Sequence, residues 1–397
     1  MKNKSILIFG AGKIGRSFIG QVFGLSGFEV IFSDVNLEVV QLLNERKSYP
    51  VVIKGEEEKT LHVSNVRAVS GLDETQLIRE ISEAGILAVS VGKNALEKVL
   101  PVIAKGLKTR YRLAPDCPLD IIIAENMRSA ADFIRENLLN MLPPDYPFDR
   151  LVGLVETSIG KMVPIMTQED LKNDPLVVFA EPYNTLIVDT KGFRGEIPDV
   201  KDLSPKENIR AWVDRKLFIH NLGHAVAAYS GAYRHPESVY MYEVLGDPEV
   251  YLFTRNAMRQ SARVLQSVYP DDFTSEDLEK HIDDLLFRFQ NKALKDTIFR
   301  VGQDRLRKLG PDDRFVGIIR LAEKQGMPYN EILKAMAYAF FFNAVDENGN
   351  SSARDMLFDN FKKEGIRYVL NEVCGFDLVK DIKLIGSFEQ YYHELNL

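Results

Sequence analysis

Cysteine is nearly absent, with only Cys117 and Cys374 in a chain of 397 residues. The two lie in different halves, and neither has a companion at metal-ligand or redox spacing. A disulfide framework, a thiolate zinc site and a dithiol redox centre are therefore excluded, and each thiol reads as structural in a reducing compartment. No metal is expected. Long apolar runs are missing too. The longest, 335–342, covers about eight residues, whereas a membrane-spanning helix needs roughly 20. The opening stretch, 1–9, is too short in apolar length for a secretory signal and runs straight into a strand and a glycine loop, so a cytoplasmic location is expected. Positive charge is not in excess either. Fifty Lys and Arg against 57 Asp and Glu leave a net charge of -7, which repels a phosphate backbone or an anionic leaflet. No nucleic-acid or membrane partner is expected, which leaves a small molecule.

What is present is an ordinary globular composition, 45% hydrophobic and 27% charged, without repeats or low-complexity tracts. The length exceeds what one core usually serves, so two domains sharing a cleft are expected. The first half alternates short β-branched runs at 5–9, 29–33, 86–91, 120–124, 151–155, 176–179 and 186–188 with segments of helical period. Ile14, Phe18, Ile19, Val22 and Phe23 form one such stripe, and Ala95, Leu96, Val99, Leu100 and Ile103 another. This order predicts a Rossmann-type α/β domain with a mostly parallel sheet. From about Glu207 the period is helical to the end, which predicts a mainly α-helical C-terminal domain. Gly192, Gly195 and Pro198, followed by a polar stretch, mark the connection. The expected domains are 1–195 and 196–397.

Gly10-Ala11-Gly12-Lys13-Ile14-Gly15 follows a predicted strand and opens a predicted helix. In that context Gly10 permits a tight turn, Gly12 lets the backbone approach a pyrophosphate, and Gly15 lets helix and strand pack closely. Asp34 ends the second strand, where a carboxylate accepts hydrogen bonds from the adenosine ribose. A 2'-phosphate would be repelled there, and Ser33, Val35 and Asn36 supply no arginine to replace the acid. NAD is the cofactor expected.

In the second half Lys216, Asn221 and His224 share one predicted helix. On an α-helix Lys216 and Asn221 stand about 140° apart, with His224 one turn beyond Asn221. Oxidising an alcohol needs a base for the hydroxyl proton and donors for the developing alkoxide, and a lysine serves only when burial has made it neutral. Taken alone, the trio also suits an exposed Lys, a surface Asn and a satisfied His.

Several separated motifs resemble those of the polyol-specific long-chain dehydrogenases: GAGKIGRSFIG at 10–20, AENM at 124–127, NDPL at 173–176, IVD at 187–189, KLFIHNLGHA at 216–225, and RLRKL followed by DR between 305 and 314. The resemblance spans nearly the whole chain. It implies an NAD-dependent oxidoreductase that interconverts a sugar polyol and its ketose. In that family pattern Lys216 is the catalytic base, Asn221 and Asn126 hold the reacting oxygen, and His224 orients the substrate. Asn126 also sits where a strand gives way to a helix, so it reads equally as an N-cap. Arg300, Arg307, Lys308 and Arg314 resemble the phosphate-binding stretch of the sugar-phosphate branch. They could equally form a solvated face paired with Asp304, Asp312 and Asp313.

Three sites depart from the pattern. Gly160-Lys161 stands where many relatives have Asp-Arg, Asn343 where free-polyol enzymes have an arginine, and Arg305 where the sugar-phosphate branch has proline. A hexuronate or unphosphorylated-polyol dehydrogenase is thus an alternative, and a non-catalytic NAD-binding redox sensor is another. A short-chain dehydrogenase is excluded, because no tyrosine has a lysine four residues on.

Overall fold

In the computed structural model, residues 4–125, 127, 129–164, 166 and 168–397 are described, apart from the side chains of Lys93 and Gln168. The chain divides into two compact units, Met1–Trp212 and Val213–Leu397.

The described strands are β1 (Ser5–Phe9), β2 (Glu29–Asp34), β3 (Ser48–Ile53), β4 (Lys59–Ser64), β5 (Val66–Ser70), β6 (Ile86–Val89), β7 (Leu119–Ile123), β8 (Val152–Ser158), β9 (Val178–Ala180), β10 (Leu186–Asp189) and β11 (Leu203–Lys206), all in the first unit. Eight of them form one sheet in the order β11-β10-β8-β7-β6-β1-β2-β5. From β5 to β8 every neighbour is parallel, while β10 runs antiparallel to β8 and parallel to β11.

The central strands are buried throughout because helices cover both faces, which is why SILIF, ILAV and LDIII read as unbroken apolar runs. Successive side chains alternate between the faces. Ile6 and Ile8 join Phe18, Val22 and Phe32 on one side, and Leu7 and Phe9 join Leu96, Leu100 and Ile121 on the other. The order reverses between β1 and β6, and in open α/β sheets such a switch point at the carboxyl ends is where ligands bind.

Every run expected as a strand contains one, although the run at 176–179 yields β9 of a separate three-stranded sheet, β4-β3-β9. The sequence reading missed β3, β4, β5 and β11. β4 is mostly exposed and carries Lys59 and His62, β3 contains Pro50, and β11 contains Pro205. β4 alternates only at Leu61 and Val63 and β3 has an apolar run of three after its proline, so each signal is shorter than those on which that reading depends.

The second unit is helical among the described residues. Its spine is Leu222–Arg234, buried along most of its length. Gly223 and Gly231 let neighbours approach, since a Cβ would lie 2.5 Å from Met258 Sδ at the first and 2.6 Å from Val244 at the second. Tyr229 donates to the Gly302 carbonyl at 2.9 Å.

Arg305 is only 1% exposed. It donates to Asp355 and Asp359 at 2.9 Å each, while Asp355 also accepts from the Asp304 and Arg305 amides. Arg305 thus supplies a buried ion pair that fixes the 304–308 turn to the helix Ala353–Lys363. Removing one partner strands the other's charge, so Asp355→Ala is expected to cost about 3–5 kcal/mol. Equilibrium denaturation checks this, and a change within about 0.5 kcal/mol, typical of a surface site, would contradict it.

Candidate active site

The glycine turn follows β1. Gly10 has φ +98°, and a Cβ there would lie 2.3 Å from the Ser90 carbonyl oxygen, while one at Gly15 would lie 1.9 Å from that of Gly10. Both positions exclude a side chain. Around Gly12, by contrast, nothing lies within 4 Å of where a Cβ would be, so the backbone is open to a ligand on that side. Lys13 is exposed and Ile14 is half-buried against the core. The following turn, Gly15–Gly20, is a π-helix.

Asp34 faces this turn, accepting from the Ala11 amide through Oδ2 at 2.7 Å and from the Asn36 amide through Oδ1 at 2.9 Å. The other end of the Ala11 residue is also held. The buried Arg16 donates from Nε to the Ala11 carbonyl and from Nη1 to the Leu176 carbonyl, both at 2.6 Å. Asp174 completes the link by accepting from the Leu176 amide at 2.9 Å and pairing with Arg46 at 2.6 Å. Arg16 was missed from the sequence, although an arginine within an apolar helical stripe was a visible signal.

Asn126 lies outside the described residues. Its neighbour Glu125 accepts from the Val91 and Gly92 amides at 2.7 and 3.0 Å, tying the end of β7 to the loop after β6. Lys161 is buried and donates to Gln21 at 3.0 Å and Asn184 at 2.6 Å, and Asn343 is exposed.

In the second unit Lys216–Asn221 is again a π-helix, leading into the buried spine. The separation of about 140° expected for an α-helix therefore does not hold. In a π turn residues five apart are hydrogen-bonding neighbours, which brings Asn221 over Lys216. Burial, reinforced by the nearby Arg314 guanidinium, pushes the Lys216 ammonium down to about 8. Arg314 is fixed by Asp313, from Nε at 2.8 Å, and by the Asn221 carbonyl, from Nη1 at 3.1 Å.

His224 stacks on Phe289, with ring centroids 4.3 Å apart and planes 4° from parallel. Its Nε2 is 3.2 Å from Asp296 Oδ2, off the line of a good hydrogen bond. Burial lowers its pKa against the pull of Asp296.

The basic stretch is already engaged. Arg300 pairs with Asp296 at 2.5 Å, and Arg307 pairs with Asp304 at 2.8 Å and Asp313 at 3.3 Å. Lys308 is buried and donates to the Val301 carbonyl at 2.6 Å and to that of Gln303. Burial and its cationic neighbours bring it down to about 7. Lys216, Asn221, His224 and Arg314 therefore gather around one helix start, with Arg300 joined to them through Asp296. Among the described residues no group of three His, Cys, Asp or Glu is placed to hold a metal.

A glycine turn at the switch point of a parallel sheet, faced by an acidic residue ending β2, defines a dinucleotide-binding Rossmann domain, and the residues present fit such a ligand. The helical unit adds a lysine with a depressed pKa. Residues 4–202 match the mannitol dehydrogenase Rossmann domain and residues 208–396 the mannitol dehydrogenase C-terminal domain. The chain belongs to the mannitol dehydrogenase family. It is 32% identical to mannitol-1-phosphate 5-dehydrogenase of Buchnera aphidicola subsp. Acyrthosiphon pisum, over 98% of this chain and 97% of that one. Its fold is also that of a D-sorbitol dehydrogenase in substrate-free form (TM-score 0.82, 14% identity, 99% and 93% of the two chains). Pseudomonas fluorescens mannitol 2-dehydrogenase, solved with NAD and D-mannitol, matches as well (TM-score 0.72, 15% identity, 99% and 92%).

The Arg16 clamp yields a prediction. Arg16→Gln removes charged bonds worth about 1.5–3 kcal/mol each, so NADH affinity should fall roughly ten- to hundredfold. Fluorescence titration measures it, and an unchanged dissociation constant would show that the turn holds itself.

Proposed function

We propose that this chain interconverts mannitol 1-phosphate and fructose 6-phosphate, with Lys216 as the group that takes and returns the hydroxyl proton. The observation that carries this reading is the placement of Lys216 in a π turn shared with Asn221, where desolvation and the Arg314 cation push its ammonium down to about 8. NAD, held by residues Gly10 to Gly15 and Asp34, supplies the hydride acceptor. Lys216 Nζ, its neutral form favoured by desolvation and the Arg314 cation, removes the hydroxyl proton in the oxidative direction and donates it in the reverse. Asn221 and Asn126 hold the reacting oxygen by hydrogen bonds, and His224 orients the substrate through its ring. The name of the 32% identical relative supports the phosphorylated substrate.

The phosphate falls to Arg300, Arg307, Lys308 and Arg314. Among the described residues no partner is seen for Arg300 Nη1, Arg307 Nη2 or Arg314 Nη2, so each guanidinium keeps a donor for it. A second reading, an unphosphorylated polyol or a hexuronate, is favoured by the carboxylates and carbonyls that already occupy the other donors.

A substrate panel separates the two. Wild-type protein should consume NADH with the ketose phosphate far faster than with free ketose or hexuronate, and Lys216→Ala should abolish turnover while keeping NADH affinity. Truncating Arg300, Arg307, Lys308 or Arg314 singly should raise KM for the ketose phosphate roughly tenfold or more. Truncations that treat both ketoses alike would move the assignment to the second reading.

A further inference from the structure

Asp296 has no place in the chemistry above, yet it is buried at the centre of it. Its carboxylate touches two groups at once. Arg300 grips it with a two-pronged contact, Nε to Oδ1 and Nη2 to Oδ2, both at 2.5 Å. On the other side Oδ2 is 3.2 Å from His224 Nε2. Burial alone would push a carboxyl up, but His224 and Arg300 outweigh it and hold Asp296 at about 2, so it is ionised wherever the protein works.

The backbone around Asp296 is fixed as well. Its carbonyl accepts from the Met241 amide at 2.9 Å, and the Ile298 amide donates to the Val239 carbonyl at 2.9 Å, flanking a bridge between Tyr240 and Thr297. The Thr297 side chain caps the short helix that carries Arg300. The His224 ring cannot turn away freely, because Phe289 lies flat against it.

We propose that Asp296, locked by Arg300, is a positioning residue that fixes the tautomer and orientation of His224. The proposal rests on the reading that His224 meets the substrate. A carboxylate beside Nε2 favours the proton on that nitrogen, which leaves Nδ1 as the acceptor for a substrate hydroxyl. The contact between Nε2 and Oδ2 is not a well-aligned hydrogen bond, the loose geometry that active sites show before substrate tightens them. Asp296, Arg300, Lys308 and the His220 ring are the titratable groups that face His224. Only the first is an anion, so it alone can draw the proton to Nε2. Arg300 then acts through Asp296 in addition to any bond it makes to substrate.

The test reads the ring directly. Nitrogen-15 NMR of the full-length protein, without substrate, reports the tautomer of each of its six histidines, with His224 assigned from the spectrum of His224→Asn. Wild type should show His224 protonated on Nε2. Asp296→Asn, which keeps the shape, should move the population toward Nδ1–H and lower kcat roughly ten- to hundredfold, as misorientation of a reacting group does, with little change in NADH affinity. Arg300→Gln should shift the same ring signals, and Arg300→Lys, which keeps charge but not the fork, should restore them in part. A His224 tautomer unmoved in both Asp296→Asn and Arg300→Gln overturns the proposal, whatever happens to turnover. Should Asp296→Asn fail to fold, the Arg300→Gln spectrum decides alone. A moved tautomer with undiminished kcat would instead overturn the reading of His224 as a substrate-contacting group.

Discussion

A lysine ammonium held partly out of water, close to a guanidinium, is the constraint around which the candidate site of the second unit is arranged. Burial in low dielectric disfavours the charged form, and a like charge nearby disfavours it further. Both act on Lys216, the second through Arg314. Such a pair is tolerable only if the guanidinium is itself compensated, and Asp313 and the Asn221 carbonyl do this. The Asn221 carbonyl is offered to Arg314 at the end of the π turn that Lys216 begins. A rigid, small-residue helix behind that turn keeps the arrangement from relaxing.

The first unit solves a different problem by the same means. A glycine turn open enough for a diphosphate has little side-chain packing of its own, so it must be held from outside. Asp34 takes the Ala11 amide and Arg16 takes its carbonyl, while Leu176, Asp174 and Arg46 extend the hold to residues distant in sequence. A π turn follows the glycine turn in the first unit and carries Lys216 and Asn221 in the second. π-helices account for well under 1% of residues and are frequent at functional sites.

The division between what the sequence shows and what it hides follows from range. The parallel sheet was legible because β1, β6 and β7 are buried on both faces and leave unbroken apolar runs. The glycine turn, Asp34 and the Lys216 motif were legible because each is a short pattern within one element. The exposed β4 and the proline-containing β3 and β11 carry only shorter patterns, too weak to mark a strand alone. Asp296 was invisible as a site residue for the same reason, since its partner His224 lies 72 positions away, and Arg16, although visible as a charge in an apolar stripe, could not be given its hold on Leu176, 160 positions away. The roles of Arg305 and Lys308 likewise needed the fold, because nothing local distinguishes a buried arginine or lysine from one on a solvated face. The π turns escaped notice because six residues are too few to reveal a period.

The most direct measurement is the pH dependence of kcat/KM in both directions for wild type and Arg314→Gln. Oxidation needs the neutral amine, so its rate should rise as pH passes through about 8. Reduction needs the ammonium, so its rate should be level below that point and fall above it. Removing the Arg314 cation relieves the repulsion, and both midpoints should move upward, toward the ordinary lysine value. A wild-type midpoint near 10.5, or one in Arg314→Gln that stays or moves down, would contradict the account of Lys216 as a base made by burial and a neighbouring charge.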